Sequence, residues 1–104
     1  MSPADGLVQL DDLSLATLIA LVDRLRETET PDQFLCREIE LDEAYLEADA
    51  ELRKVTDGGG REEKVEQARQ IRSLVIQAHD QLGESDIAAA VAQLNKVIEI
   101  KIGL

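Results

Sequence analysis

Aromatic side chains are nearly missing from this chain, with one Tyr, one Phe and no Trp among 104 residues. Whatever core it builds must be aliphatic, drawn from the Leu, Ile, Val and Ala that dominate an apolar content of 44%. Cysteine is equally scarce. The single Cys36 has no partner for an internal disulfide, which fits a reducing cytoplasm. It falls toward the polar side of its segment, with Arg37 the one base nearby and no histidine to activate it, and so reads as a bystander. No apolar run approaches the roughly 20 residues that a membrane-spanning helix needs. Met1–Leu7 also lacks the basic and apolar regions of a signal peptide. Neither a membrane nor an export route is expected.

Positive charge is in deficit too, with 11 Lys and Arg against 22 Asp and Glu, for a net charge of −11. Such a surface disfavours nucleic-acid backbones and anionic membranes; it suits a basic protein partner, or simply solubility. The imbalance is uneven: residues 1–57 hold 15 acids against 5 bases, residues 58–104 hold 7 against 6. Histidine occurs once, as His79. Di-metal carboxylate bundles use paired Glu-x-x-His motifs, whereas Ile76 stands where the acid before His79 would be needed. Ser14 and Ser85 serve better as helix caps than as nucleophiles. The triplet Gly58-Gly59-Gly60 is followed by Arg61-Glu62-Glu63, whose acids oppose a bound phosphate. No metal, no cofactor and no enzymatic activity are expected.

What the chain does have is helical periodicity with clear start and stop signals. Thr30-Pro31-Asp32-Gln33 combines an N-cap, a proline at the first helical position and a capping-box glutamine. No Gly or Pro follows until Gly58, so the spacing predicts one helix over about 31–57, roughly 40 Å long at 1.5 Å per residue. Phe34, Leu41, Tyr45, Ala48, Leu52 and Val55 share one stripe of it. Leu35, Ile39, Leu46 and Ala50 share a second, and a helix with two apolar stripes is expected to touch two neighbours. Glu38, Asp42 and Asp49 run between the stripes, and Glu40, Glu43, Glu47 and Glu51 form a solvated acidic face that could select a basic partner.

Ser14 begins a shorter helix over about 14–27, with Leu15, Leu18, Ile19, Leu21, Val22 and Leu25 as its buried face. The glycine triplet reverses the chain into a third helix over about 61–82, with Gly83 at its C′ position. Ser85 or Asp86 caps a fourth, over about 86–99, beyond which Lys101 would point inward. Residues 100–104 therefore read equally as a short extended tail or a frayed helical end, and residues 1–13 as a loosely specified lead-in. The expected fold is one all-α domain over 1–104, a long central hairpin flanked by two shorter helices.

Threading the hairpin about Gly59 places Arg72 between the levels of Asp42 and Asp49, and His79 beside Glu38. The polar residues out of place on one helix thus meet the acids out of place on the other, predicting a polar seam. The segment Ala78-His79-Asp80-Gln81-Leu82-Gly83 resembles the phospho-accepting segment of histidine phosphotransfer domains, which are acidic four-helix bundles. Ala78, His79 and Gly83 match, while Leu82 replaces the lysine that assists the phosphate. The resemblance implies a signalling role centred on His79. Helix lengths point elsewhere: both short helices cover the end of the hairpin away from the glycines, leaving Ala48, Leu52, Val55, Val65 and Ala68 uncovered at its tip. Exposed apolar surface of this kind marks association. The expectation is a non-enzymatic interaction module binding another protein as adaptor, antagonist or regulator, acting as a homodimer through the tips. Phosphotransfer through His79 is one alternative, and acidic mimicry of nucleic acid at a basic site is another.

Overall fold

A computed structural model describes residues 14–103 as four helices: α1 (Leu15–Arg26), α2 (Pro31–Asp57), α3 (Glu62–Gly83) and α4 (Ile87–Ile102). No strand occurs among the described residues. The expected lead-in, residues 1–13, lies outside them.

The caps form as the sequence dictates. The Thr17 amide donates to Ser14 Oγ at 3.1 Å. At α2 the capping box is complete: the Gln33 amide donates to Thr30 Oγ1 at 3.2 Å, and Gln33 Oε1 accepts from the Thr30 amide at 3.1 Å. Gln33 Oε1 also accepts from the Glu29 amide, at 2.8 Å, which ties the α1–α2 turn to the start of the long helix. Asp86 caps α4 by accepting from the Ala89 amide at 3.0 Å.

The α2–α3 reversal needs two of its three glycines for different reasons. Gly59 has a φ of +69°, in the left-handed region. Gly60 donates its amide to the Val55 carbonyl at 2.8 Å, and a Cβ there would lie 2.6 Å from Val55 Cγ1. At the α3–α4 turn the expectation fails by two residues. Gly83 is the last helical residue, and Ser85 takes the left-handed position with φ +65°. The Asp86 amide then reaches back to the Gln81 carbonyl at 2.9 Å, closing the helix.

Of the two readings left open for the C-terminus, the helical one holds for the residues described: α4 continues to Ile102, and the Gly103 amide bonds to the Glu99 carbonyl at 2.9 Å. Lys101, whose inward position argued against helix, is accommodated because its ammonium meets Glu51 of α2 at 3.4 Å. Both side chains are mostly covered, at 15% and 24% exposure.

Going round the molecule the order is α2, α3, α4, α1, with the α1–α2 contact much the weakest. The extents of 43 × 34 × 20 Å are those of one long helix by two helix layers. Leu18, Leu21 and Leu25 of α1, Leu41 of α2, Val75 and Leu82 of α3, and Leu94 and Val97 of α4 fill the centre at 1% exposure or less. Each such aliphatic side chain contributes about 1.5–3 kcal/mol on burial. Ile19, expected in this core, is instead 45% exposed, because α1 turns its inner face mainly to α4 and no other described helix lies beyond it.

Candidate interaction surface

The α2–α3 seam is polar, as expected, but its register differs. His79 Nε2 lies 2.8 Å from Asp42 Oδ1, so the partner of His79 is Asp42 and not Glu38. Part of the reason is the turn: Gly60 and Arg61 also belong to it, so the hairpin centre falls past Gly59, and His79 meets the acid one turn further along α2 than Glu38. Arg72 Nε sits 3.1 Å from Asp49 Oδ1, and Arg72 Nη2 donates to the Tyr45 hydroxyl at 3.1 Å with its guanidinium 5.6 Å from the ring centre. Asp49 also holds Arg53, at 3.0 Å. The hydrogen bond to Tyr45 first, and the Asp49 charge after it, push the Arg72 pKa further up.

The acidic face of α2 is not uniformly solvated. Glu40 pairs with Arg24 of α1 at 2.9 Å and with Arg37 one turn before it. Glu51 holds Lys101. Glu47 is half-buried, and its burial, with the neighbouring Glu43 charge behind it, pushes its carboxyl above its ordinary pKa. Glu43 is exposed. Three of these four acids thus face the gap that α1 and α4 partly close.

At the hairpin tip Ala48 and Ala68 are buried within the chain's own core, and Leu52, Val55 and Val65 are half-buried. The tip is better covered than the helix lengths implied, since α4 runs three residues further than expected and reaches Glu51.

The large exposed apolar side chains of α2 lie elsewhere. Leu35 is 58%, Ile39 51% and Leu46 63% exposed, all on the second stripe, with Ala50 half-buried at its end. The expected second neighbour for that stripe does not exist among the described residues. α3 covers the first stripe, and α1, only 12 residues long, approaches α2 from the other side through Arg24 and Glu40. Beside the stripe Asp42, Tyr45, Ile76, His79 and Asp80 line a shallow depression of about 260 Å³, and Ile76 adds a further exposed apolar group at 37%. The contributions of Ile76 and Tyr45 were not visible in the sequence, because Ile76 reads as part of the apolar arc of the third helix, with Ile71, Leu74, Val75 and Ala78, and Tyr45 belongs to the first stripe of α2. The exposure of Leu35, Ile39 and Leu46 could have been suspected from one fact: a short first helix cannot flank both stripes.

His79 stands at the edge of this depression, 35% exposed, with its Nε2 engaged by Asp42 and Asp80 lining the same hollow. Among the described residues two carboxylates and no lysine or arginine line the hollow, which opposes an incoming phosphoryl group rather than assisting it. Cys36 is exposed. Among the described residues no group of three or more His, Cys, Asp and Glu is placed to hold a metal ion, and no helix is long and apolar enough to cross a membrane.

A scan against protein-family models finds no match, and neither do searches of curated proteins and of solved structures. The functional reading rests on the geometry of this chain.

Proposed function

We infer that the chain is a non-enzymatic, acidic helical module that binds another protein, with the outer stripe of α2 as its contact face, and that it works in the cytoplasm, where a lone exposed Cys36 stays reduced. The observation that carries this is the exposure of Leu35, Ile39 and Leu46 together on one line of a helix whose other stripe is packed. Single exposed leucines are common and need no explanation. Three such side chains in line on one helix, bordered by a fourth apolar group, Ile76, are the pattern of an association surface. A photo-crosslinking residue at Leu46 should capture a defined protein in cell extract. One at the exposed Ser73 of α3 should not, and Ile39→Gln should abolish capture. Equal capture at both positions, or none at Leu46, overturns this reading.

A homodimer through the hairpin tips is the second reading, supported by the partial exposure of Leu52, Val55 and Val65. It predicts a dimer in light scattering that Leu52→Glu with Val55→Glu converts to a monomer. A wild-type chain monomeric at high concentration removes it.

A further inference from the structure

The α2 stripe carries enough chemistry to say what kind of segment fits it. Resting on the reading of this face as a protein-binding surface, we propose that its occupant is a basic amphipathic α-helix, whose apolar side lies along Leu35, Ile39, Leu46 and Ile76 and whose cationic side chain meets Asp42.

Shape comes first. Leu35, Ile39 and Leu46 are spaced i, i+4 and i+11, which sets them within about 40° of one another at 100° per residue. They form a straight ridge of about 16 Å, three turns long, on a rigid helix. A second helix laid along such a ridge can place its own i, i+3, i+4 and i+7 side chains around it. An extended strand finds no free backbone edge here, because α2 satisfies its own amides.

Charge then selects among helices. Glu38, Asp42 and Glu43 border the ridge, and Asp80 lies across the depression. Arg53 and Arg72, two bases toward the far end, both meet Asp49, at 3.0 and 3.1 Å. Asp42 is the central group: it interrupts the ridge between Ile39 and Leu46, its side chain is 66% exposed, and its one short contact is to His79 at 2.8 Å. A lysine or arginine in the middle of the partner's apolar stripe would take this carboxylate in competition with His79. An acidic helix would bring like charges together at three positions, a cost that excludes it. A second copy of this chain fits poorly for the same reason. A twofold axis centred on the ridge passes between residues 40 and 41, and would bring the two Asp42 carboxylates within about one turn of each other.

The test uses three labelled synthetic peptides of 18 residues: one with a leucine stripe flanked by Lys and Arg, one with the same stripe flanked by Glu, and one with the basic composition scrambled so that no stripe forms. Binding to the whole chain is followed by fluorescence anisotropy, with circular dichroism as the control for folding. The basic amphipathic peptide should bind. Its affinity should fall at least tenfold with Ile39→Gln plus Leu46→Gln, severalfold with Asp42→Asn, and steeply with added salt. The Glu-flanked peptide should not bind. Equal binding of the scrambled peptide, or an affinity untouched by the Ile39→Gln, Leu46→Gln pair, overturns the proposal as unspecific charge attraction. Equal binding of the Glu-flanked peptide overturns the choice of a basic helix. So does the absence of any peptide binding while crosslinking at Leu46 succeeds; in both cases the association face itself stands. Wild-type self-association lost in the Ile39→Gln, Leu46→Gln pair assigns the ridge to a second copy instead, and overturns the proposal.

Discussion

Two residues at the α3–α4 turn are each in the other's conformation. Gly83 is helical with nothing within 4 Å of where a Cβ would stand, while Ser85 holds φ +65°, where a side chain is strained. Gly83→Ala should stabilise the fold by about 0.5–1 kcal/mol, and Ser85→Gly should relieve a left-handed cost of about 1 kcal/mol. Urea unfolding of each variant checks both signs, and a loss of stability in either contradicts the turn as described. Glu47 offers a third test at this scale, through pH. Its folded-state pKa lies above the ordinary carboxylate value because it is partly buried near Glu43. The folded state therefore binds the proton more tightly than the unfolded one. The resulting loss of stability is absent below the unfolded pKa of about 4.3 and complete once pH exceeds the folded value. Glu47→Gln should raise stability at pH 7 by under about 1 kcal/mol, given its solvent contact, and make no difference near pH 3.5. A variant equally stabilised at both pH values would refute the burial argument.

Among the elements, α4 shows how a distant residue decides a local structure. Ile98, Ile100, Ile102 and Leu104 alternate with polar residues, and the segment alone is as strand-like as it is helical. What settles it is Glu51, 50 positions away, which receives Lys101 in a mostly covered site. Glu51→Gln should therefore cost about 1–3 kcal/mol by leaving Lys101 without its charge partner, and should fray the last turn of α4, read as faster amide exchange at Lys101 and Ile102. Unchanged exchange there means that the helix end does not depend on the pair. The same logic marks what was legible in the sequence. The helix starts at Ser14 and Thr30 were readable, and that of α4 to within Ser85 or Asp86, because a cap is a local device of three or four residues. The existence of a polar seam was readable because Arg72 and His79 broke an apolar arc. The pairing of His79 with Asp42 was not, since it depends on which residues the turn consumes. The free side of α2 was not either. The pattern declared two apolar stripes, but only the packing of α1 against α4 shows that one of them has no neighbour among the described residues.

For the whole molecule, the decisive property is a surplus: α2 carries more apolar surface than the other described helices cover. The charge that surrounds this surplus differs from the charge on the other side of the same helix. Glu40 and Glu51 are neutralised by Arg24 and Lys101, whereas Asp42 and Glu43 are exposed beside the ridge. An approaching basic partner is steered over about a Debye length, roughly 8 Å at physiological ionic strength. Its association rate should therefore respond to Glu43→Gln and Asp42→Asn and hardly to Glu40→Gln. The most direct measurement is the unfolding free energy of the pair Ile39→Gln with Leu46→Gln beside that of Leu41→Ala. If the stripe is surplus to the fold, the double variant stays within about 0.5 kcal/mol per site of the wild type, while Leu41→Ala, at 0% exposure, loses about 2–5 kcal/mol. A loss of several kcal/mol in the double variant would mean that the chain covers this ridge itself, and that it is not the surface offered to a partner.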